Sequence, residues 1–277
     1  MPLEDELGDI LQKARDGKTW SQDDLVRATD LPKDDIQRIE NYQLTPEDSV
    51  VLKLAKALDL DGPTLIDSAQ ERWEPKEPAV DPDFDLVCLS VFMGEYPVNC
   101  YLLRCKATGE TAVVDTGANP KTIINKAHEM GVRPNMILLT HAHPDHAGGL
   151  GELSDAFHCT TYIDHNEPKP KGSRNFKIVK DGDELTLGNL RILCIETPGH
   201  TAGGISYLIN KTLLSGDVIF AGSMGRANSS WQDLFNSITQ KVLRLPDATG
   251  IYPGHGPATT VGQEKEHNPF FIGHLDI

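Results

Sequence analysis

Within the ten residues THAHPDHAGG (Thr140–Gly149), three imidazoles and a carboxylate fall in six positions: His141, His143, Asp145 and His146. They follow directly on the apolar run MILL (Met136–Leu139), which reads as a buried strand. A loop leaving a strand end is where α/β folds place chemistry. His141 and His143, two apart, project to the same side of extended backbone. Pro144 then bends the chain and Gly148-Gly149 lets it turn into a helix at close quarters. Asp145 and His146 therefore face a second point nearby. Four ligands in six residues are too many for one catalytic ion that must keep a coordination position open. Two ions sharing one site satisfy the pattern.

A two-metal site needs further ligands, and they should recur at other strand ends. After RILCIE comes TPGHTAGG with His200, after KTLLS comes GDVIF with Asp217, and after TGIYP comes GHGP with His255. Each follows an apolar run and lies beside glycine, which gives the backbone room around an ion. A lone Gly-His or Gly-Asp at a strand end is ordinarily a turn. Following His-x-His-x-Asp-His in order, the three become ligand candidates together. Asp115 ends AVVDTG in the same manner and is read as a carboxylate that orients a ligating imidazole.

The rest of the chain divides in three. In residues 1–72 apolar residues recur at helical spacing, as in Leu7, Ile10, Leu11 and Val50, Val51, Leu54, Leu58. Caps such as Ser21 with Asp24, and Thr45-Pro46-Glu47, punctuate four or five short helices. Residues 73–85, centred on EPKEPAVDPDFD, are rich in Pro and acid and read as a linker. Residues 86–277 alternate short β-rich runs with helical stretches: LVCLSVF, TAVVD, MILLT, CTTYI, RILCIE, ISYLI, TLLSGD and TGIYP with KTIINKAHEM and LFNSITQKVLRL. Strands alternating with helices imply an α/β domain whose helices cover sheet faces.

At these motifs the chain resembles the metallo-β-lactamase superfamily, from roughly Leu86 to Phe271. The resemblance implies a four-layer αβ/βα sandwich with the metal site along one edge of two packed sheets. It further implies that His141, His143 and His200 hold one metal, that Asp145, His146 and His255 hold the other, and that Asp217 bridges both. Within the superfamily, GDVIFAGSMGR (Gly216–Arg226) and YPGHGPATTVGQEKEHNPFF (Tyr252–Phe271) are similar to short glyoxalase II-type thioesterases related to hydroxyacylglutathione hydrolase. Two departures stand out. Arg226-Ala227-Asn228 replaces the family's usual Arg-Thr-Asp, and the few residues after HNPFF leave no room for a large glutathione-binding domain at that end.

The chemistry these features imply is hydrolysis by a dinuclear-metal-activated hydroxide, acting on a thioester such as an S-acylglutathione or on an ester. Asp145 orients the attacking hydroxide in addition to binding metal, and Asp217 links the two ions. Histidine and carboxylate ligands without cysteine suit two divalent ions, zinc first, with iron or manganese as alternatives. No Gly-x-Ser-x-Gly elbow offers a serine nucleophile. The alternatives are a DNA-binding regulator with a metallo-hydrolase sensor domain and a mononuclear-iron persulfide dioxygenase. His165 could line the pocket, and Lys169, Lys171, Arg174 and Arg226 are candidate contacts for an anionic substrate.

The segment WSQDDLVRATDLPKDDIQRIENYQ (Trp20–Gln43) resembles the helix-turn-helix of the Cro/repressor (Xre-like) family. Ser21–Thr29 is then the first helix of the motif, Asp30-Leu31-Pro32 the turn and Lys33–Asn41 the recognition helix, which implies DNA binding. Charge opposes it. Residues 1–72 hold nine Lys and Arg against seventeen Asp and Glu, a net of −8, and Asp34-Asp35 stand at the end of the helix that would meet phosphates. A dimerisation or protein-interaction module, which would make a homodimer, is the favoured reading, with a cap on the enzyme domain beside it. The whole chain carries 26 Lys and Arg against 41 Asp and Glu, which argues against a broad nucleic-acid or anionic-membrane surface. No apolar run approaches the roughly 20 residues of a membrane span. The five cysteines lack CxxC spacing and read as buried thiols in a cytoplasmic protein.

Overall fold

The computed structural model describes residues 2–172 and 175–274. Five helices come first: α1 (Leu7–Gly17), α2 (Gln22–Thr29), α3 (Lys33–Glu40), α4 (Asp48–Leu58) and α5 (Gly62–Ala69). Ser21 caps α2 by accepting from the Asp24 amide while Asp24 reaches back to the Ser21 amide. Asp61 caps α5 in front of Pro63, a proline in the first helical turn where no backbone donor is lost.

Two six-stranded sheets follow. The first runs β1 (Phe84–Met93), β2 (Tyr96–Cys105), β3 (Thr111–Val114), β4 (Met136–Leu138), β5 (Thr160–Asp164) and β6 (Phe176–Val179), antiparallel to β3 and parallel from there on. The β3–β4 link passes through α6 (Lys121–Glu129), and the β4–β5 link through the single turn α7 (Pro144–Ala147) and α8 (Leu150–Phe157). The second sheet is built from β7 (Glu184–Leu187), β8 (Leu190–Glu196), β9 (Ile205–Ile209), β10 (Thr212–Gly216), β13 (Gly250–Pro253) and β14 (Thr259–Thr260) in the order β14-β13-β10-β9-β8-β7. A two-residue ribbon, β11 (Ile219–Phe220) with β12 (Ser223–Met224), precedes α9 (Trp231–Gln240). Helix α10 (Val261–His267) closes the order.

Alternation within each strand explains the layering. On β2 and β3, Tyr101, Leu103, Ala112 and Val114 pack inward against Ile192, Cys194, Ile205 and Tyr207 of the other sheet. Cys100, Leu102 and Val113 point the other way, onto Ile123 of α6 and Leu150 and Leu153 of α8. Strands buried on both faces read as continuous apolar runs, which is why MILL and TAVV show no polar alternation. The outer face of the second sheet is covered by α9 and α10. The order helix, sheet, sheet, helix is thus the expected four-layer αβ/βα arrangement.

The five N-terminal helices share their core with that outer layer. Leu7, Ile10, Leu11 and Leu65 belong to one buried cluster with Leu213, Leu234, Ile238, Phe270 and Phe271. The Asp61 amide donates to the Pro269 carbonyl at 2.9 Å. Between α5 and β1 the described backbone forms neither helix nor strand.

One expectation fails. The five thiols are unpaired, but Cys88, inside the apolar run LVCLSVF, is exposed. It shares a face of the edge strand β1 with Phe84 and Leu86 and stands opposite Tyr101 in the register. Cys159, outside any long apolar run, is buried and its thiol points at the Pro134 carbonyl.

Candidate metal centre

All seven ligand candidates converge at one edge of the sandwich. His141 and His143 leave β4; α7 carries Asp145 and His146; His200 follows β8, Asp217 follows β10 and His255 follows β13. His143 keeps extended backbone (φ −62°, ψ 149°) immediately before Pro144, whose ring starts α7 without losing a donor. The loop can therefore aim His143 and Asp145 at different points within three residues.

Two clusters result. The first is His141, His143 and His200. His143 Nδ1 lies 3.0 Å from His141 Nε2 and 3.0 Å from His200 Nε2. Ligands 2.0–2.1 Å from a tetrahedral zinc stand about 3.3 Å apart, so these three nitrogens form a triangle close to one face of that tetrahedron. The second cluster is Asp145, His146, Asp217 and His255. His146 Nε2 stands 3.3 Å from Asp217 Oδ1, and His255 Nε2 stands 3.5 Å from Asp145 Oδ2. Asp217 Oδ2 joins the two clusters, 3.6 Å from His200 Nε2 and 3.5 Å from His255 Nε2.

Two buried atoms, His146 Nε2 and Asp217 Oδ1, have no hydrogen-bond partner. An orphaned acceptor pair of this kind is costly unless a cation sits between them. The residues present therefore fit a pair of metal ions. Gly254 belongs to this fit: a Cβ there would come 2.2 Å from Asp217 Oδ1 and 2.6 Å from His146 Cε1.

The Nδ1 atoms of the four site histidines other than His143 are accounted for. Thr140 Oγ1 donates to Asp115 Oδ2 at 2.8 Å and accepts from His141 Nδ1 at 3.1 Å. His146 Nδ1 donates to Asp115 Oδ2 at 2.8 Å, and Asp115 Oδ1 accepts the Thr140 amide at 2.8 Å. His200 Nδ1 donates to the Arg226 carbonyl and His255 Nδ1 to the Pro97 carbonyl, both at 2.8 Å. The hydrogen-bond network thus assigns four imidazoles the tautomer that leaves Nε2 free to bind metal.

Electrostatics separate the clusters. Burial, then the neighbouring His146, holds His141 well below the ordinary imidazole range, and burial lowers His200. Both are neutral, as ligands must be. In the second cluster burial opposes charge but the carboxylates win. Asp217 and Asp115 push His146 well up, and Asp145 and Asp217 raise His255 to about 10. Burial likewise works against ionisation of Asp217, yet His146 and His255 hold it well below its usual value. That corner demands positive charge, which protons supply when metal does not.

Some residues act here without a sequence signal. Glu167, buried in IDHNEPK, accepts the Ala142 amide on Oε2 at 2.8 Å and the Gly203 amide on Oε1 at 3.1 Å. It ties the loop of His141 and His143 to the loop of His200. The proposed substrate contacts fare differently. His165 is 57% exposed and pairs with Asp164 at 3.3 Å; Lys169 and Lys171 are exposed. The Arg226 guanidinium pairs with Asp16 of α1 at 3.3 Å, while its carbonyl serves His200. Arg174 lies outside the described residues.

Known proteins resemble this chain in sequence and fold. The chain is 32% identical over 203 residues to a probable metallo-hydrolase, YqgX, of Bacillus subtilis, covering 65% of this chain and 95% of that one. It is 29% identical over 201 residues to hydroxyacylglutathione hydrolase GloC of Haemophilus influenzae, covering 63% of this chain and 95% of that one. Among solved structures, TTHA1623 in a di-iron-bound form superposes with a TM-score of 0.58 at 29% identity, covering 66% of this chain and 99% of that one. The family model described as metallo-beta-lactamase superfamily matches residues 93–255, a span that opens on the hairpin beside the site and ends on its last histidine. By that match, and by ligands drawn from successive strand ends to one edge, the chain belongs to the metallo-beta-lactamase superfamily.

Proposed function

We propose that this metal-dependent hydrolase cleaves a thioester of the S-acylglutathione class at a dinuclear centre. The observation that carries the reading is the position of Asp217 Oδ2, within 3.6 Å of one cluster and 3.5 Å of the other. Two divalent cations held there supply an acidified water and a Lewis acid for the scissile carbonyl. The chain's residues supply direction and proton handling. Asp145, whose side chain is 23% exposed against 8% for Asp217, is the carboxylate that faces incoming substrate. It accepts the hydrogen bond of the attacking water, aims it at the carbonyl and returns the proton to the departing thiolate. Asp217 keeps the two clusters in register, and Asp115 with Thr140 keeps the imidazoles turned to the metal. The relative named as a hydroxyacylglutathione hydrolase supports the thioester class.

The deciding experiment is metal counting on purified protein followed by assay against S-acylglutathiones, lactones and glutathione persulfide. Two metals per chain and preferential thioester hydrolysis are expected. One iron per chain with oxygen consumption on the persulfide would overturn the reading in favour of a dioxygenase.

For the helical unit we infer a capping role rather than DNA reading. On α3 the exposed cations are already paired, Lys33 with Asp23 at 2.8 Å and Arg38 with Asp35 at 3.9 Å. Phosphate contacts would have to break those pairs against a net charge of −8 over residues 1–72. Salt-dependent gel-shift binding to duplex DNA at physiological ionic strength would refute the capping role.

A further inference from the structure

A cavity lies in the helical unit, away from the metal ligands. It has a volume of about 300 Å³ and is walled by Leu3, Tyr42, Leu44 and Trp73. Small-molecule sites begin at about this size, and it corresponds to roughly ten waters at about 30 Å³ each. Its charged lining is of one sign. Asp5, Glu6, Glu71 and Glu74 border it, and among the described lining residues none is Lys, Arg or His. Asp5 is already neutralised by Lys13. Arg72, between two of the acids in sequence, is drawn off by Asp67. Glu71 and Glu74 carry no ion pair among the described residues. A chamber that sets Leu3, Leu44 and Trp73 beside exposed, unpaired carboxylates at its mouth favours a cation carried on an apolar body.

The cavity is linked to the metal centre through one ribbon of the chain. Trp73 packs on Gly222, where a Cβ would come 3.0 Å from its ring. Asp5 accepts from Ser223 Oγ, and Lys13 Nζ donates to the Met224 carbonyl at 2.7 Å. These three residues belong to the β11–β12 ribbon that follows Asp217. On its other side, Phe220 lies 5.9 Å edge-on to the His255 ring, while Lys13 Nζ sits 5.0 Å above the Phe220 ring. Whatever fills the cavity bears on Trp73 and Asp5, hence on the ribbon and on the ligand at its far side.

We propose that this cavity binds a small organic monoamine, an ammonium group on a short apolar or aromatic body, and that its occupancy adjusts hydrolysis through the β11–β12 ribbon. The probe is 2-phenylethylamine, with 2-phenylethanol as its neutral counterpart, titrated calorimetrically into the metal-loaded full chain. Expected are one saturable site with a Kd below about 1 mM, and affinity at least about tenfold weaker for the alcohol. The double variant Glu71→Gln/Glu74→Gln, altered only at exposed positions, should lose about tenfold in amine affinity while keeping its metal content. Amine saturation should shift kcat or KM for an S-acylglutathione in the parent chain and not in the variant. Equal affinity for amine and alcohol, no saturable site, or unchanged amine binding in the variant would overturn the site. Binding with unaltered kinetics would overturn the coupling. Calorimetry needs no turnover, so the binding result stays readable even if the thioester reading fails.

Discussion

Asp115 and Glu167 never reach the metal positions, yet the geometry there depends on both. Asp115 sits in left-handed backbone (φ 55°) at the end of β3, which turns its carboxylate back onto Thr140 and His146. Replacing it by Asn removes the charge that anchors the His146 tautomer. Asp115→Asn is expected to lose about 10–100-fold in affinity for one of the two metals, read by metal titration with a competing chelator; parental affinity at both positions would exclude the role. Glu167→Ala leaves the Ala142 and Gly203 amides without their acceptor, at a cost of about 1–3 kcal/mol each. Its denaturation midpoint should fall and metal retention by the three-histidine cluster should weaken, with Glu167→Gln between the two. The ligands themselves were legible because each is a local signal: four crowd into residues 141–146 after an apolar run, and the other three stand beside glycine at the end of one. Glu167 was not, because its partners are 25 and 36 residues away and nothing in IDHNEPK points to them.

At the scale of elements, most strands announced themselves as apolar or β-branched runs, whereas β2, β6 and β7 did not. TAVV and MIL are uninterrupted apolar or β-branched runs, whereas β2 carries Pro97, Asn99 and Arg104, and β7 (ELTL) alternates. Asn99 earns its polarity in the tertiary structure: its side chain donates to the Pro253 and Gly256 carbonyls and holds the loop of His255 against β2. Helix α10 shows a comparable device. Glu264 is buried, accepting the Gly222 amide and Asn268 Nδ2 on Oε2 and Thr259 Oγ1 on Oε1, so that it fastens β14 and the β11–β12 ribbon together. Burial raises its carboxyl from 4.5 to about 7. The folded chain therefore keeps a proton that the unfolded chain releases between those values. The stability this proton confers is complete below about pH 4.5 and is lost as pH rises through about 7. Glutamine retains the network if the Thr259 hydroxyl turns to accept. The stability difference, parent minus Glu264→Gln, should fall by on the order of 3 kcal/mol between those two pH values, measured by urea unfolding; a difference independent of pH would contradict the assignment.

For the molecule as a whole, the break in texture near residue 73 marked where helices give way to strands but not how the two parts meet. Linker composition reports local polarity, and the contacts that join the parts are long-range. Gly17 lies so close to α9 that a Cβ would fall 2.3 Å from the Trp231 ring, and Arg226 pairs with Asp16. Leu7, Ile10, Leu11 and Leu65 close over Leu234, Ile238, Phe270 and Phe271 in one core. A chain beginning at Trp73 would leave that face open. Each large apolar side chain returned to water costs about 1.5–3 kcal/mol, and uncovering even three approaches the whole stability of a typical domain, about 5–15 kcal/mol. Such a chain is expected to bind a hydrophobic dye, to aggregate and to unfold at a markedly lower temperature, with metal affinity falling because the β11–β12 ribbon loses its bonds to Asp5 and Lys13. Helical residues supplied as a separate polypeptide should restore part of the loss. A soluble, cooperatively folding chain with the parental unfolding temperature would instead make the helical unit a tethered module, and its apolar face would then have to be explained by another partner.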